Sequence, residues 1–268
     1  MNTRITSLQN PRVKDAARLR DRRGRVQQGR IIIDGMREIE RAIGAGVKLL
    51  ELFVELNQLQ PDAWQRLDAA ARQCGATVYE VTPPVLEKLV FGSRSEGVVA
   101  VAAPPIHKLA DLDAANLPLL AVLEGIEKPG NVGAVLRSAD GAGVSAVIIA
   151  DGGTDLYNPN CIRASLGTIF TLPVVTATAT ETLAWLRASG YQILAARVDA
   201  ALDYSQVDYR PRSAIVLGSE SEGLSPLWHV PDVQAIKLPM HGAADSLNVS
   251  ATAAVLFYEG RKWRVASG

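Results

Sequence analysis

The sequence provides for no disulfide framework, no metal cage and no membrane span. Its two cysteines, Cys74 and Cys161, have neither paired nor metal-ligand spacing, and both are expected to be buried apolar thiols. His107, His229 and His241 are scattered along the chain, so no metal is expected. No apolar run approaches the roughly 20 residues needed to cross a bilayer. The opening stretch MNTRITSLQNPRVKDAARLR also lacks the apolar core of a secretory signal. A cytoplasmic location without membrane contact is therefore the expectation. Net charge is absent as well, with 28 basic against 28 acidic residues.

The charge is unevenly spread. Residues 1–30 hold Arg4, Arg12, Lys14, Arg18, Arg20, Arg22, Arg23, Arg25 and Arg30 against Asp15 and Asp21 alone. Arginine dominates, as suits phosphate binding, and the excess is more than a solvated helix face requires. The cluster marks a nucleic-acid contact surface, with Arg12, Lys14, Arg18, Arg22, Arg23 and Arg30 as the candidate RNA contacts.

The first hundred residues alternate helix and strand patterns. A basic helix ends near Gly29, RIIIDG is a short strand, and MREIERAIGAG repeats apolar residues at helical spacing. PDAWQRLDAAARQCG is a helix opened by Pro61 and closed by Gly75. Residues 104–118, with proline at both ends, form the expected linker. The expected division is a small α/β domain over 1–103 and a second domain over 119–268. In the second, LLAVLEGI, AVIIA, IFTLPVV, YQILAARV, AIVLGSE and QAIKLPM read as strands separated by helices near 131–142, 158–168, 180–189, 225–229 and 246–262. Strands apolar on both sides, with helices between, predict a mostly parallel sheet covered on both faces. Ligands in such sheets bind beyond the carboxyl ends of the strands.

Three strand ends do not look like ordinary loops. After Ile126, Pro129-Gly130 makes a turn and Asn131 is placed to cap a helix that carries Arg137. The run GNVGAV there lacks dinucleotide spacing. After Leu217, Gly218 requires a sharp bend or a close ligand, Glu220 and Glu222 follow, and no Gly-Lys-Ser/Thr makes a phosphate loop. After Leu238, Pro239 ends the ladder, small residues Gly242 to Ala244 follow, and Asp245 or Ser246 is placed to cap the last helix. On that helix Leu247, Ala251, Ala254, Val255 and Tyr258 share one apolar face, available to its own chain or to another subunit.

Together, N-V-G-x-x-x-R, G-S-E-x-x-G-L and L-P-M-x(5)-S-L-N-V-S, in this order, resemble the three motifs of the SpoU (TrmH-like) RNA ribose 2′-O-methyltransferases of the SPOUT superfamily. The basic amino-terminal part looks like the ribosomal-protein-like substrate-binding domain that many members carry. The resemblance implies an α/β fold whose carboxy-terminal part is a trefoil-knotted methyltransferase domain. It implies S-adenosylmethionine as cofactor, held by Leu217, Gly218, Ile236, Leu238, Met240 and Leu247, and catalysis by Asn131, Arg137, Glu220, Ser246 and Asn248. It also implies a homodimer formed through the knotted domain, and an RNA substrate, ribosomal RNA ahead of tRNA. A non-catalytic RNA-binding protein of the same fold is the alternative. One departure stands out: Lys128 precedes Pro129-Gly130 where many members have aspartate.

Overall fold

The structure, a computed structural model, describes residues 3–92 and 95–265. They divide into two compact units, one running up to Pro105 and including Asp155–Thr171, the other made of Ile106–Thr154 and the chain from Leu172 onward.

The first unit begins with β1 (Thr3–Ile5), α1 (Pro11–Arg18), α2 (Arg22–Gln28), β2 (Ile31–Asp34), α3 (Met36–Gly44), β3 (Leu49–Val54), α4 (Pro61–Gln73), β4 (Thr77–Val81), α5 (Pro83–Leu89) and β5 (Val98–Ala102). The strand order is β1-β4-β3-β5-β2. β5 runs antiparallel to β3 and β2, and the other pairs are parallel. Val98 to Ala102 are fully buried, so this interior strand shows no polar alternation.

The expected single basic helix is two. Leu19, Arg20 and Asp21 donate back to Ala16, Ala17 and Arg18 in a tight turn, and Asp21 is extended before α2 begins. Leu19 is fully buried at this break. Gly24 allows the two helices to meet, because a Cβ there would lie 2.0 Å from the Arg18 carbonyl oxygen.

The second unit opens with β6 (Leu119–Glu124), α6 (Pro129–Ala142) and β7 (Ala146–Ala150). The chain then forms α7 (Pro159–Ala164) and α8 (Thr168–Thr171), which group with the first unit. Three arginines explain why. Buried Arg25 pairs with Asp155, Arg41 Nη1 donates to the Leu166 carbonyl at 2.6 Å, and Arg163 donates to the Phe91 carbonyl and lies 3.7 Å from Asp34. The grouping thus differs from a contiguous 119–268 domain. The IFTLPVV segment also differs from expectation. Its first half is α8, with the Thr168 and Thr171 hydroxyls bonded back to carbonyls three residues earlier, and only β8 (Val174–Ala177) is strand. A short apolar run does not by itself separate buried helix from buried strand.

The second unit continues with α9 (Ala179–Ala188), β9 (Gln192–Ala196), β10 (Leu202–Asp203), β11 (Ser213–Leu217), β12 (Val233–Lys237) and α10 (Val249–Val265). Its seven strands lie in the order β10-β12-β9-β11-β6-β7-β8, and every pairing is parallel. β6, β7 and β11 are buried along their whole length, as the apolar runs foretold. Leu120, Val122, Ile148, Ile193, Val216 and Trp228 sit in one core cluster. From β6 the chain proceeds one way along the sheet to β8. It then crosses to the other side of β6 to lay down β9 to β12, which creates a reversal between β6 and β11.

α10 packs on α6, but through a different face from the one expected to be apolar. Val249, Ala253, Leu256 and Phe257 are buried, whereas Leu247, Val255 and Tyr258 are 43%, 37% and 52% exposed. Gly260 approaches Leu119 and Tyr209. Burying Leu256 and Phe257 contributes about 1.5–3 kcal/mol each. Cys161 is buried and its thiol is pushed up to about 12 by desolvation, so it is inert. Cys74 is only half-buried.

Candidate functional site

Parallel strands β12, β9 and β11 are neighbours in the sheet, and a cavity of about 510 Å³ opens beyond their carboxyl ends. Its wall comes from three segments, 196–199 after β9, 217–224 after β11, and the stretch from Ile236 into the first turn of α10, with His229 added between the last two. Leu217, Gly218, Ile236, Leu238, Met240 and Leu247, the six residues expected to hold a cofactor, all line it.

The segment after β11 is a tight turn. Ser219 and Gly223 exchange backbone hydrogen bonds of 3.1 and 3.0 Å, Gly223 takes a φ of +69°, and the Glu222 amide donates to Ser219 Oγ at 3.1 Å. The turn closes so tightly that a Cβ on Gly218 would lie 2.3 Å from the Gly223 carbonyl. Glu222 is exposed, as expected of a loop charge.

Glu220 at the tip of this turn joins the three motifs. Its Oε1 accepts from Asn131 Nδ2 at 2.9 Å and from Asn248 Nδ2, and its Oε2 accepts from Lys128 Nζ at 3.0 Å. The capping expectations change accordingly. Asn131 lies inside the first turn of α6 and turns its amide to Glu220 rather than capping the helix. Asn248, not Asp245 or Ser246, caps α10: its Oδ1 accepts from Ser250 N at 2.9 Å and Ser250 Oγ at 2.6 Å. Ser246 lines the cavity. Arg137 lies on α6, roughly 9 Å along the axis from Asn131. It is exposed, makes no hydrogen bond or ion pair among the described residues, and does not line the cavity. Gly242 meets nothing within 4 Å of an added Cβ, so packing does not require its smallness.

Sequence reasoning missed one support beside the site and one of its walls. Glu124, at the end of β6, is 6% exposed, and its oxygens accept from Ser225 N and Ser225 Oγ at 2.7 Å each. A carboxylate ending an otherwise apolar strand was the available signal. The other is the 196–199 wall, where Arg197 Nε donates to Asp199 Oδ1 at 2.9 Å. That hydrogen bond, with the Arg197 and His229 charges, holds the Asp199 carboxyl below its ordinary range. His229 lines the same cavity.

The basic residues of the first unit are unequally free. Arg12 is bonded to Glu51 at 2.7 Å and lies over the Tyr79 ring at 5.2 Å. Arg18 pairs with Asp15 at 3.2 Å, and Arg22 is partnered too. Arg20 bonds the Lys88 carbonyl, and Arg25 is buried. Lys14, Arg23 and Arg30 are exposed and unpaired among the described residues.

Residues 118–258 match the SpoU rRNA Methylase family, and residues 10–100 match the MRM3-like substrate binding domain. The 23S rRNA (guanosine-2'-O-)-methyltransferase RlmB of Bordetella pertussis is 33% identical over 84% of this chain and 94% of its own. The 23S rRNA (guanosine(2553)-2'-O)-methyltransferase RlmP of Bacillus subtilis is 27% identical over 95% and 97%. A crystal structure of an RNA 2'-O ribose methyltransferase, 42% identical, covers 98% of this chain and 100% of its own with a TM-score of 0.85. The AdoMet-bound rRNA methyltransferase from Sinorhizobium meliloti, 26% identical, covers 97% of each chain with a TM-score of 0.89. With segments of its three motifs joined at Glu220 and a family match over more than half its length, the chain belongs to the SpoU rRNA methylase family.

Proposed function

We propose that this protein methylates a ribose 2′-hydroxyl in ribosomal RNA with S-adenosylmethionine as donor, acting in the cytoplasm. The observation that carries this reading is the Glu220 node, which joins the three motif segments at the edge of the cavity. The cavity fits the cofactor by size and chemistry. Its volume lies within the range of small-molecule sites, and bare backbone at Gly218 beside Leu217, Ile236, Leu238, Met240 and Leu247 suits an adenine held by main-chain groups between apolar walls. When bound, S-adenosylmethionine supplies a methyl group already activated by its sulfonium charge.

The remaining work is alignment and proton removal. Glu220 holds Asn131 and Asn248 in place, and Ser246 lies on the cavity wall. A guanidinium keeps its proton at neutral pH and is not a base, so Arg137 binds the neighbouring RNA phosphate and stabilises the developing alkoxide. The hydroxyl proton passes to phosphate or water. Lys14, Arg23 and Arg30, with Arg12, Arg18 and Arg22 beside them, provide the phosphate-binding surface. The carboxy-terminal segment, in this reading, is threaded through an earlier loop as a trefoil knot, with the stretch between β12 and α10 closing the cavity.

Incubation with labelled S-adenosylmethionine and unmodified 23S rRNA, followed by mapping of 2′-O-methyl sites, tests the activity. Absence of both cofactor binding by calorimetry and methyl transfer overturns it. In the same assay, Arg137→Ala lowers turnover by about 10²–10³-fold while cofactor affinity is retained. Turnover close to wild type removes Arg137 from the mechanism.

The exposed stripe of Leu247, Val255 and Tyr258 supports a homodimer. Val255→Asp is expected to shift the protein from dimer to monomer in sedimentation velocity with its melting temperature as a monomer preserved. An unchanged sedimentation coefficient removes this face from the interface.

A further inference from the structure

The turn that carries Glu220 poses an electrostatic problem for an enzyme acting on RNA. Between Ser219 and Gly223 it holds two carboxylates, Glu220 and Glu222, and no cation of its own. Glu222 is exposed and has no ion pair among the described residues. A polyanion brought within a Debye length, about 8 Å at physiological ionic strength, is repelled by such a turn. Asn131 and Asn248 satisfy Oε1 of Glu220 but are neutral and cancel no charge. Arg137 is the nearest unpaired cation on α6, and it lies two turns further along the helix.

Lys128 is the one cation bonded to Glu220 among the described residues. It is the residue before Pro129, and its Nζ sits 3.0 Å from Glu220 Oε2. Its side chain is 75% accessible against 30% for Glu220, so the ammonium caps the outer oxygen from the solvent side. A pair this exposed adds little to stability, so its effect is on the field that an incoming ligand meets. We propose that Lys128 is the counter-charge that makes the acidic motif turn compatible with the RNA backbone, a specificity device that acts through Glu220 and does not itself bind phosphate. The proposal rests on the reading that the Glu220 node faces RNA.

The test is the affinity of the full-length protein for a 23S rRNA transcript at low and high salt, alongside calorimetry with S-adenosylmethionine. Lys128→Met is expected to weaken RNA binding by about 3- to 10-fold at low salt, with the loss fading as salt rises. Lys128→Arg keeps wild-type affinity. In a Glu220→Gln background, where there is no charge to cancel, Lys128→Met has no further effect. Cofactor affinity stays unchanged in Lys128→Met. The proposal is overturned if Lys128→Met binds RNA like wild type at low salt. It also falls if the loss persists in the Glu220→Gln background, which marks a direct phosphate contact. A matching loss of cofactor affinity would mark Lys128 as a loop anchor instead. Wild-type protein that binds cofactor but transfers no methyl would strike the functional reading, whereas the Lys128 proposal is decided by the binding measurements on the variants and needs no turnover.

Discussion

Gly218→Ala is expected to weaken S-adenosylmethionine binding by about 100-fold and to abolish measurable methyl transfer. The added Cβ would lie 2.3 Å from both the carbonyl carbon and the oxygen of Gly223 and 2.6 Å from the Leu224 nitrogen. These are main-chain atoms, with no flexible side chain to swing away. The turn must open, and the Ser219–Gly223 backbone pair that closes it must break. Overpacking of this kind costs about 1–3 kcal/mol where neighbours relax, and here the relaxation displaces a wall of the cavity itself. Gly242→Ala is the matched control, since its Cβ meets nothing within 4 Å and the position is exposed. Calorimetry with the cofactor on both variants checks the contrast, and equal affinities would mean that the turn does not shape the binding site.

The second large effect falls on Glu220. Glu220→Ala removes the acceptor for Asn131, Asn248 and Lys128 together. Hydrogen bonds to a charged group contribute about 1.5–3 kcal/mol each, less at this partly exposed position. A loss of about 100-fold in kcat/KM is expected. Because the three donors share one acceptor, the effects do not add. Asn131→Ala on top of Glu220→Ala should cost much less than Asn131→Ala alone. Additive losses in that cycle would mean that Asn131 acts independently of the carboxylate. Glu220→Gln keeps one acceptor oxygen and should fall between wild type and alanine.

The elements most legible in the sequence are those whose pattern reflects burial on both sides. LLAVL, AVIIA and AIVL are uninterrupted apolar runs, and they are central strands of the parallel sheet. Pro61 and Gly75 bracket α4 for equally local reasons. The six residues drawn from the family motifs around Gly218 and Leu247 converge on one cavity because β11 and β12 run parallel on either side of β9 and end on the same side of the sheet. What the sequence hid depends on partners far along the chain. Glu124 looks like a stray charge until Ser225, 101 residues away, bonds it twice. Asn131 has the side chain of a cap, and only the distant Glu220 turns it to another use. Helical periodicity located an apolar face on α10 but could not tell whether its own chain covers it, and Leu256 and Phe257 on the other side are the ones buried. Charge counting along residues 1–30 also does not separate cations that face solvent from those the fold consumes. Arg25 is consumed inside the fold, because Asp155 and the Leu19 carbonyl satisfy its guanidinium.

The excursion of α7 and α8 bears on any attempt to dissect this enzyme. The peptide chain passes between the two units three times, after Pro105, after Thr154 and after Thr171. A single cut near residue 105 therefore does not yield two autonomous halves. The carboxy-terminal fragment would carry Cys161, Ile162, Ile169 and Phe170 away from the neighbours that bury them, leaving an adhesive apolar surface. The amino-terminal fragment would retain Arg25 without its carboxylate. Expression of either piece alone should favour inclusion bodies, and a soluble catalytic fragment would require replacing residues 155–171 with a short polar bridge.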